Sequence, residues 1–485
     1  MNRSRVTTGA ATGLTLMLAL AACGDTGTET EEPMEPEANQ EEADTNGDAE
    51  QEDAGADEDM EDSENMERSD DADDIDDMDD MDNGDDEETE GAEEDMEDSD
   101  AEGELSAVMP ESTGDPFADA RTAAQHMPGS AEDLSVGFTD ALDISGEPQS
   151  ESAELRGDLT AMFQEHVYLA GIAVATAYHA GADSDEFDLA TETVDANSVA
   201  MADAVGELAG DDARESFLRN WREHIDYFVD YAVAAEAGDE EGMNQAVEDL
   251  REYTDGVGDF FERITDGELD SDTVTDSFNG HVDTLAAAVD SLAAGDPEAF
   301  TNLKMAADHV VEGSAVMSEG LGSTAGLEGD PNDEASELRA GLTANLNEHV
   351  YLAGIAVFVA YTDEEGTDSD AFAAAAEVVD DNAVELADSV GELAGEENRE
   401  PFLELWRDHI GYFVDYAEAV AEEDDAAAET ALMELDEYRG EAGEFFEEVS
   451  DGELEADEIA DGLGMHVQTL GGAIDSMNEA LVQND

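Results

Sequence analysis

Apolar residues recur every three or four positions along most of this chain after residue 150, and no segment alternates with the period of a β-strand. That spacing predicts amphipathic α-helices, because residues three and four apart share one helix face. The stripes predict helices over residues 151–180, 185–209, 212–237, 240–265 and 271–294. The joints between them are short and polar, as in AGDD and EAGDEE. Short joints favour antiparallel neighbours, so we expect an all-α fold built of antiparallel helical bundles.

The helical pattern occurs twice along the chain. The segment EHVYLAGIAV at 165–174 returns unchanged at 348–357. The segment WREHIDYFVDYA at 221–232 returns as WRDHIGYFVDYA at 406–417. The offset grows from 183 to 185 residues between these two matches, so one loop is longer in the second copy. We therefore expect two homologous bundles in tandem.

The repeat also includes a helix that precedes these signatures. Residues 296–320 match residues 115–137, which predicts units of 113–297 and 298–485. Pro128 falls inside this helix in the first copy only. A proline removes a backbone donor and clashes with the preceding turn, so we expect Pro128 to bend or end that helix.

Eight of the nine histidines occupy matching places in the two copies, as the pairs His126/His309, His166/His349, His224/His409 and His281/His466. Three of the four pairs lie on apolar stripes close to the middle of a helix, together with an asparagine and a tyrosine. Antiparallel helices of similar length bring their midpoints to one height, so these side chains should form one central polar layer per bundle. The expected layers are His166, Asn197, His224, Tyr253 and His281, and then His349, Asn382, His409, Tyr438 and His466. His126 and His309 lie beside the main stripe and are further candidates for the layer and its metal site.

Buried imidazoles need hydrogen-bond partners or a metal ion. Three of them from three helices suit a divalent transition metal: zinc, copper or iron. The asparagines and tyrosines are candidates for a fourth ligand or for partners that orient the imidazoles. We therefore expect one buried, histidine-rich metal site per repeat, in a protein that stores, delivers or senses metal.

Two alternatives remain open. The layer can be purely structural, with histidine, asparagine and tyrosine hydrogen-bonded to one another in a surface or adhesive module without metal. A weaker alternative is an oxidoreductase that uses a histidine-bound metal or a bis-histidine haem. The Glu-x-x-His pattern of di-iron bundles and the HExxH pattern of zinc proteases are absent from the sequence. No catalytic residue is predicted, and enzymatic activity stays open.

The N-terminus indicates export. Residues 1–22 combine Arg3 and Arg5 with an apolar run, as secretory signals do. The run ends in Leu-Ala-Ala-Cys at 20–23, which resembles the lipobox of bacterial lipoproteins. That resemblance implies lipidation of Cys23 and an extracytoplasmic protein held to the membrane by its lipid.

The distribution of acidic residues separates the remaining chain into a tether and a folded region. Residues 24–105 hold 42 of the 135 acidic residues and one basic residue, so we expect 23–112 to be a disordered acidic tether. Residues 106–485 hold the other 93 acidic residues and only 12 basic residues. A folded region this acidic repels itself at low ionic strength, so we expect it to work at high salt concentration, where cations screen its surface. The chain offers no basic patch for phosphates, which excludes nucleic acid, and metal cations are the expected partners. The sequence identifies no protein partner.

The paired EHVYLAG and WRxHIxYFVxYA signatures resemble a repeat of secreted proteins in Gram-positive bacteria. The resemblance covers most of residues 150–485. It implies an exported, all-helical protein.

Overall fold

The computed structural model describes residues 106–483. The expected signal segment 1–22, the lipidation site Cys23 and the tether up to residue 105 lie outside the described residues. Every regular element in the described part of the chain is helical, which confirms the predicted all-α fold.

The five helices predicted between residues 151 and 294 are present, with ends within one residue of those predicted. The helices are α1 Pro116–Gln125, α2 Met127–Leu142, α3 Glu151–Ala180, α4 Asp185–Ala209, α5 Asp211–Ala237, α6 Glu240–Ile264, α7 Ser271–Ala294, α8 Glu298–Ala325, α9 Glu334–Thr362, α10 Asp370–Ala394, α11 Glu396–Ala421, α12 Asp425–Val449 and α13 Ala456–Leu481. A short 3₁₀ turn, Gly366–Asp368, occupies the loop that is longer in the second copy.

Local sequence fixes where the helices begin and end. Ser150 and Ser184 each accept a backbone N–H of the following first turn through their side-chain oxygen, and Asp270 does the same for α7. Gly238 and Gly295 end α5 and α7 with positive φ angles of 64° and 63°. An L side chain is disfavoured in that conformation, so glycine defines these ends.

Six helices close the first bundle as a ring. Each of α3 to α8 packs against the next, and α8 returns to α3. Helix α8 begins at Glu298, in the stretch that the sequence repeat assigns to the second unit. The first bundle therefore extends across the predicted junction at residues 297 and 298.

The second bundle is closed by the N-terminal helices. Helices α9 to α13 pack in the same order as α3 to α7, and the place that α8 takes in the first bundle is taken by α1 and α2. Helix α1 packs on α13, whereas α2 packs on α9. The break falls at His126, and Pro128 lies in the first turn of α2, as predicted for a proline at this position.

The described residues form one compact unit in which the two bundles pack through α3 and α9. Packing begins before residue 113, because Val108 is fully buried and the Glu111 N–H donates to the carbonyl of Gln468 in α13. Within 106–483, none of the helices combines the length and apolarity that a membrane crossing requires.

Candidate metal centre

Three histidines meet inside the first bundle. His166 of α3, His224 of α5 and His281 of α7 each offer a ring nitrogen, and these atoms all lie within 4.8 Å of one another. The ring centroid of His166 is 5.4 Å from that of His224 and 6.0 Å from that of His281. Each residue is at most 5% exposed. The predicted convergence at mid-height is therefore present, and we call this cluster triad 1.

The second bundle repeats the arrangement. His349, His409 and His466 again place a ring nitrogen each within 4.8 Å of the others; this cluster is triad 2. The ring centroid of His349 lies 5.2 Å from that of His409 and 6.1 Å from that of His466, close to the spacings in triad 1. The Nε2 atoms of His349 and His409 are 3.3 Å apart, which permits a hydrogen bond between the two rings.

Most nitrogens of these rings have no protein partner. In the described residues, both nitrogens of His224, both of His281 and Nδ1 of His166 are buried without a hydrogen bond. In triad 2 the same holds for the Nδ1 atoms of all three rings. A buried polar atom without a partner costs about 1–3 kcal/mol, so a site with several of them is suited to an additional ligand.

Burial keeps the triads neutral. Desolvation lowers the pKa of His166 to about 4, and desolvation followed by the nearby His166 lowers that of His281 to about 3. Desolvation is also the largest cause of the lowered pKa of His224, which falls well below its usual range. A neutral imidazole carries the lone pair that a metal ion needs. Triad 1 is therefore in the metal-binding protonation state at neutral pH.

Triad 2 has the same electrostatics. Burial lowers the pKa of His349 to about 3 and that of His466 to about 4, and it lowers that of His409 well below the usual range. The side chain of Asn382 raises the pKa of His349 and so offsets a small part of the effect of burial. The Oδ1 atom of Asn382 nevertheless has no hydrogen-bond partner among the described residues. Asn382 is thus a predicted asparagine whose side chain affects the pKa of an imidazole.

The predicted tyrosines flank the triads through their rings. Tyr253 stacks on His224 with centroids 4.9 Å apart, and Tyr438 stacks on His409 at 4.7 Å. The hydroxyl of Tyr253 is buried without a partner. Trp221 forms a second aromatic wall, edge-on to His224 at 4.5 Å. The tyrosines therefore fix the orientation of the middle imidazole by stacking.

The predicted asparagines anchor the helix that carries the first histidine. Asn197 donates to the carbonyl of Met162 at 3.1 Å and to Glu165 Oε1 at 2.9 Å. Asn382 donates in the same way to the carbonyl of Asn345 and to Glu348 Oε1. Their amide nitrogens bind the glutamate that precedes the histidine, so these residues hold α3 and α9 in register with the triads.

His126 and His309, the further candidates for the layer, lie beside the triads. Nε2 of His309 is 3.0 Å from the carbonyl of Ser277, one helical turn before His281. Both residues are half-exposed, whereas the triads are buried. Among the described residues, the groups of three or more candidate ligand atoms that all lie within 4.8 Å of one another are the two triads. Neither His126 nor His309 is a member of these clusters.

The sequence analysis missed a pair of charged networks between the bundles. Glu165 of the first bundle accepts hydrogen bonds from Arg121 at 2.7 Å and from the hydroxyl of Tyr351 in the second bundle at 3.2 Å. The two tyrosines of the EHVYLAG signatures, Tyr168 and Tyr351, stack with centroids 5.4 Å apart. The recurrence of the glutamate and tyrosine in both copies was the available signal.

The reciprocal contact completes the pattern. Glu348 of the second bundle accepts from the hydroxyl of Tyr168 at 2.9 Å and pairs with Lys304 Nζ at 3.1 Å. Lys304 stands 183 residues after Arg121, so each network is the counterpart of the other. Together they join α3 to α9.

No protein-family model, curated protein or solved structure matches this chain. Each triad presents three buried, neutral nitrogen donors that could hold a metal ion.

Proposed function

We propose that this protein is an exported, lipid-anchored metal-binding protein with one tris-histidine centre in each bundle. The observation that supports it is the meeting of three buried, neutral imidazoles at two equivalent places, where most ring nitrogens have no hydrogen-bond partner among the described residues. Zinc, copper and iron are the candidate ions, since imidazole nitrogen suits each of them. A buried centre whose protein ligands are all histidine nitrogens suits a protein that stores, delivers or senses metal.

The energetics favour a ligand over an empty polar layer. Five unpartnered nitrogens in triad 1, at about 1–3 kcal/mol each, would cost a large part of the 5–15 kcal/mol by which a typical domain is stable. A bound ion recovers part of this cost by coordinating one nitrogen of each ring. The other nitrogen of each ring then needs a donor or acceptor, for which ordered water is the available group.

The alternative is a structural layer without metal, and one observation favours it. The 3.3 Å contact between His349 and His409 is a hydrogen bond that needs no ion. Among the described residues, triad 1 has no such hydrogen bond between its rings, so the structural alternative explains one triad better than the other. An oxidoreductase remains a weaker proposal, because a redox role needs a substrate in addition to the metal.

Metal analysis of the untagged protein tests the proposal. We expect two equivalents of one transition metal per chain, one equivalent in His224→Ala or His409→Ala, and none in the double variant. His179→Ala is the matched control, because this exposed histidine lies at the end of α3 and outside both triads. Wild-type protein that stays metal-free after incubation with Zn(II), Cu(II) and Fe(II) would refute a metal function and leave the structural layer.

The lipid anchor is tested separately. Cys23 is the sole cysteine of the chain, so lipid labelling has one possible site. We expect the wild type to fractionate with membranes in its native host and Cys23→Ala to be released. Equal membrane association of the two forms would contradict lipidation at this residue and leave the metal proposal unaffected.

A further inference from the structure

The two triads differ in the space beside them. Next to triad 1 lies a cavity of about 30 Å³, lined in part by His166, His281 and Phe163. Next to triad 2 the corresponding cavity is about 100 Å³ and includes His349 and His466 in its wall. The metal-binding proposal does not account for this difference, since the triads themselves are nearly identical.

Two substitutions between the copies explain much of the added volume. Phe163 and Phe278 border the small cavity, and their counterparts in the larger one are Leu346 and Leu463. Leucine in place of phenylalanine shortens the side chain that projects toward the triad. The neighbouring aromatic wall is retained, because Trp221 and Trp406 line their cavities alike.

The break at Pro128 contributes a second change. In the first bundle the continuous helix α8 packs against both α3 and α7. In the second bundle this role is divided, so that α2 packs on α9 while α1 packs on α13. Residues of α2 and α13 form one side of the larger cavity, where Asp133 and Glu458 are exposed. This side is the route by which a small molecule can enter.

The cavity has a definite chemical polarity. Its walls are mainly leucine, valine, phenylalanine and tryptophan side chains, and at its inner end His349 and His466 carry buried Nδ1 atoms without a partner. The two carboxylates on the exposed side repel anions. The cavity therefore suits an uncharged ring with one hydroxyl group. Its volume is of the same order as the roughly 150 Å³ apolar cavity known to accommodate benzene.

We propose that the cavity beside His349 and His466 is a binding site for a small, uncharged, hydroxyl-bearing aromatic molecule of the phenol class. The ring packs against Trp406 and the leucines, and the hydroxyl donates to an unpartnered imidazole nitrogen of triad 2. Triad 1 has no equivalent site, because Phe163 and Phe278 fill the corresponding space. The binding requires no metal ion, so it stands independently of the metal proposal.

Single-tryptophan variants of the full chain report on each cavity separately, because the protein has two tryptophans and each lines one cavity. Metal-stripped Trp221→Phe protein is titrated with phenol, and Trp406 fluorescence is excited at a wavelength that phenol does not absorb. We expect saturable quenching of Trp406. Benzoate tests the role of charge and should bind more weakly. Saturable quenching of Trp221 in the Trp406→Phe protein at the same concentrations would contradict the assignment to one bundle.

Exchanging the two substitutions provides the matched control. In the Trp221→Phe background, Leu346→Phe with Leu463→Phe should lower phenol affinity by at least about tenfold, an effect that even one methylene can exert in an apolar pocket. In the Trp406→Phe background, Phe163→Leu with Phe278→Leu should create binding beside triad 1. Each variant carries the residue of the other copy, and its thermal unfolding is recorded to confirm folding. Calorimetry repeats the measurement without fluorescence. Phenol affinity unchanged by Leu346→Phe with Leu463→Phe would refute the site.

Discussion

Replacing Lys304 by methionine tests the charged network between the bundles. The side chains of Lys304 and Glu348 are 11% and 2% exposed, and their charged atoms are 3.1 Å apart. Removing one partner of a buried pair leaves an uncompensated charge, which costs about 3–5 kcal/mol. We expect Lys304→Met to lower the free energy of unfolding by up to that amount at pH 9, where the Glu348 carboxyl of the wild type is ionised, measured by urea denaturation at one fixed salt concentration.

The expected loss of stability is large because the Lys304–Glu348 pair is buried, so an exposed ion pair serves as the control. Arg222 and Asp195 form an ion pair at 2.6 Å, but their side chains are 48% and 45% exposed. Exposed pairs contribute about 0–1 kcal/mol, so Arg222→Met should be almost neutral. The double variant Lys304→Met with Glu348→Gln should recover much of the loss, because no buried charge then remains.

The pH dependence has a defined sign. Burial raises the pKa of Glu348 from 4.5 to about 7, and Lys304 opposes that rise. An acid with a raised pKa in the folded state binds protons more tightly when folded, so its contribution to stability falls as pH rises from the unfolded value through the folded one. Removing Lys304 raises the pKa further. The cost of Lys304→Met should therefore be largest above pH 7 and shrink toward pH 5.5. A cost below about 1 kcal/mol at pH 9, or one that grows on acidification, would refute the reasoning.

The remaining predictions concern the triads. Because the pKa values of His166 and His281 in the folded state lie below the unfolded value of 6.5, metal-free protein should lose stability as pH falls from 6.5, by about 2 kcal/mol per histidine at pH 5; His281→Leu should reduce this dependence in urea titrations. A triad ion at one hundred times its dissociation constant should stabilise the protein by about 2.7 kcal/mol, seen as a rise in melting temperature that EDTA reverses and that His224→Ala with His409→Ala abolishes. Tyr253→Phe should leave stability unchanged or raise it by about 1 kcal/mol, since the lost hydroxyl has no partner, and a large loss of metal in this variant would instead identify the hydroxyl as a ligand.

The sequence alone was sufficient to predict the helices and the two triads. Each of the six triad histidines lies on an apolar stripe near the middle of its helix, so periodicity determined its face and helix length determined its height. The roles of the tyrosines were less accessible. Helical geometry places Tyr253 in the layer but does not distinguish a hydroxyl ligand from a stacked ring, which depends on side-chain packing within an ångström.

The closing helices could not be assigned from the repeat. Alignment shows that residues 115–137 correspond to 296–320, yet it does not show which bundle either segment joins. In the structure the connections between bundles decide this: α8 follows α7 directly and packs on it, so the second bundle is completed by helices from the N-terminal end. Periodicity describes how a helix meets its own core and carries no information on that choice.

The four residues of the EHVY segment contribute both to a histidine triad and to the contacts between the two bundles. Neighbouring residues on a helix point about 100° apart, so Glu165 and His166 face different surroundings. His166 joins triad 1, whereas Glu165 and Tyr168 reach the other bundle. Since the same helix α3 carries both sets, the position of His166 within its triad is linked to the packing of α3 on α9. The glutamate and tyrosine therefore recur with the histidine, because a shift of α3 that broke the contacts between the bundles would also displace an imidazole.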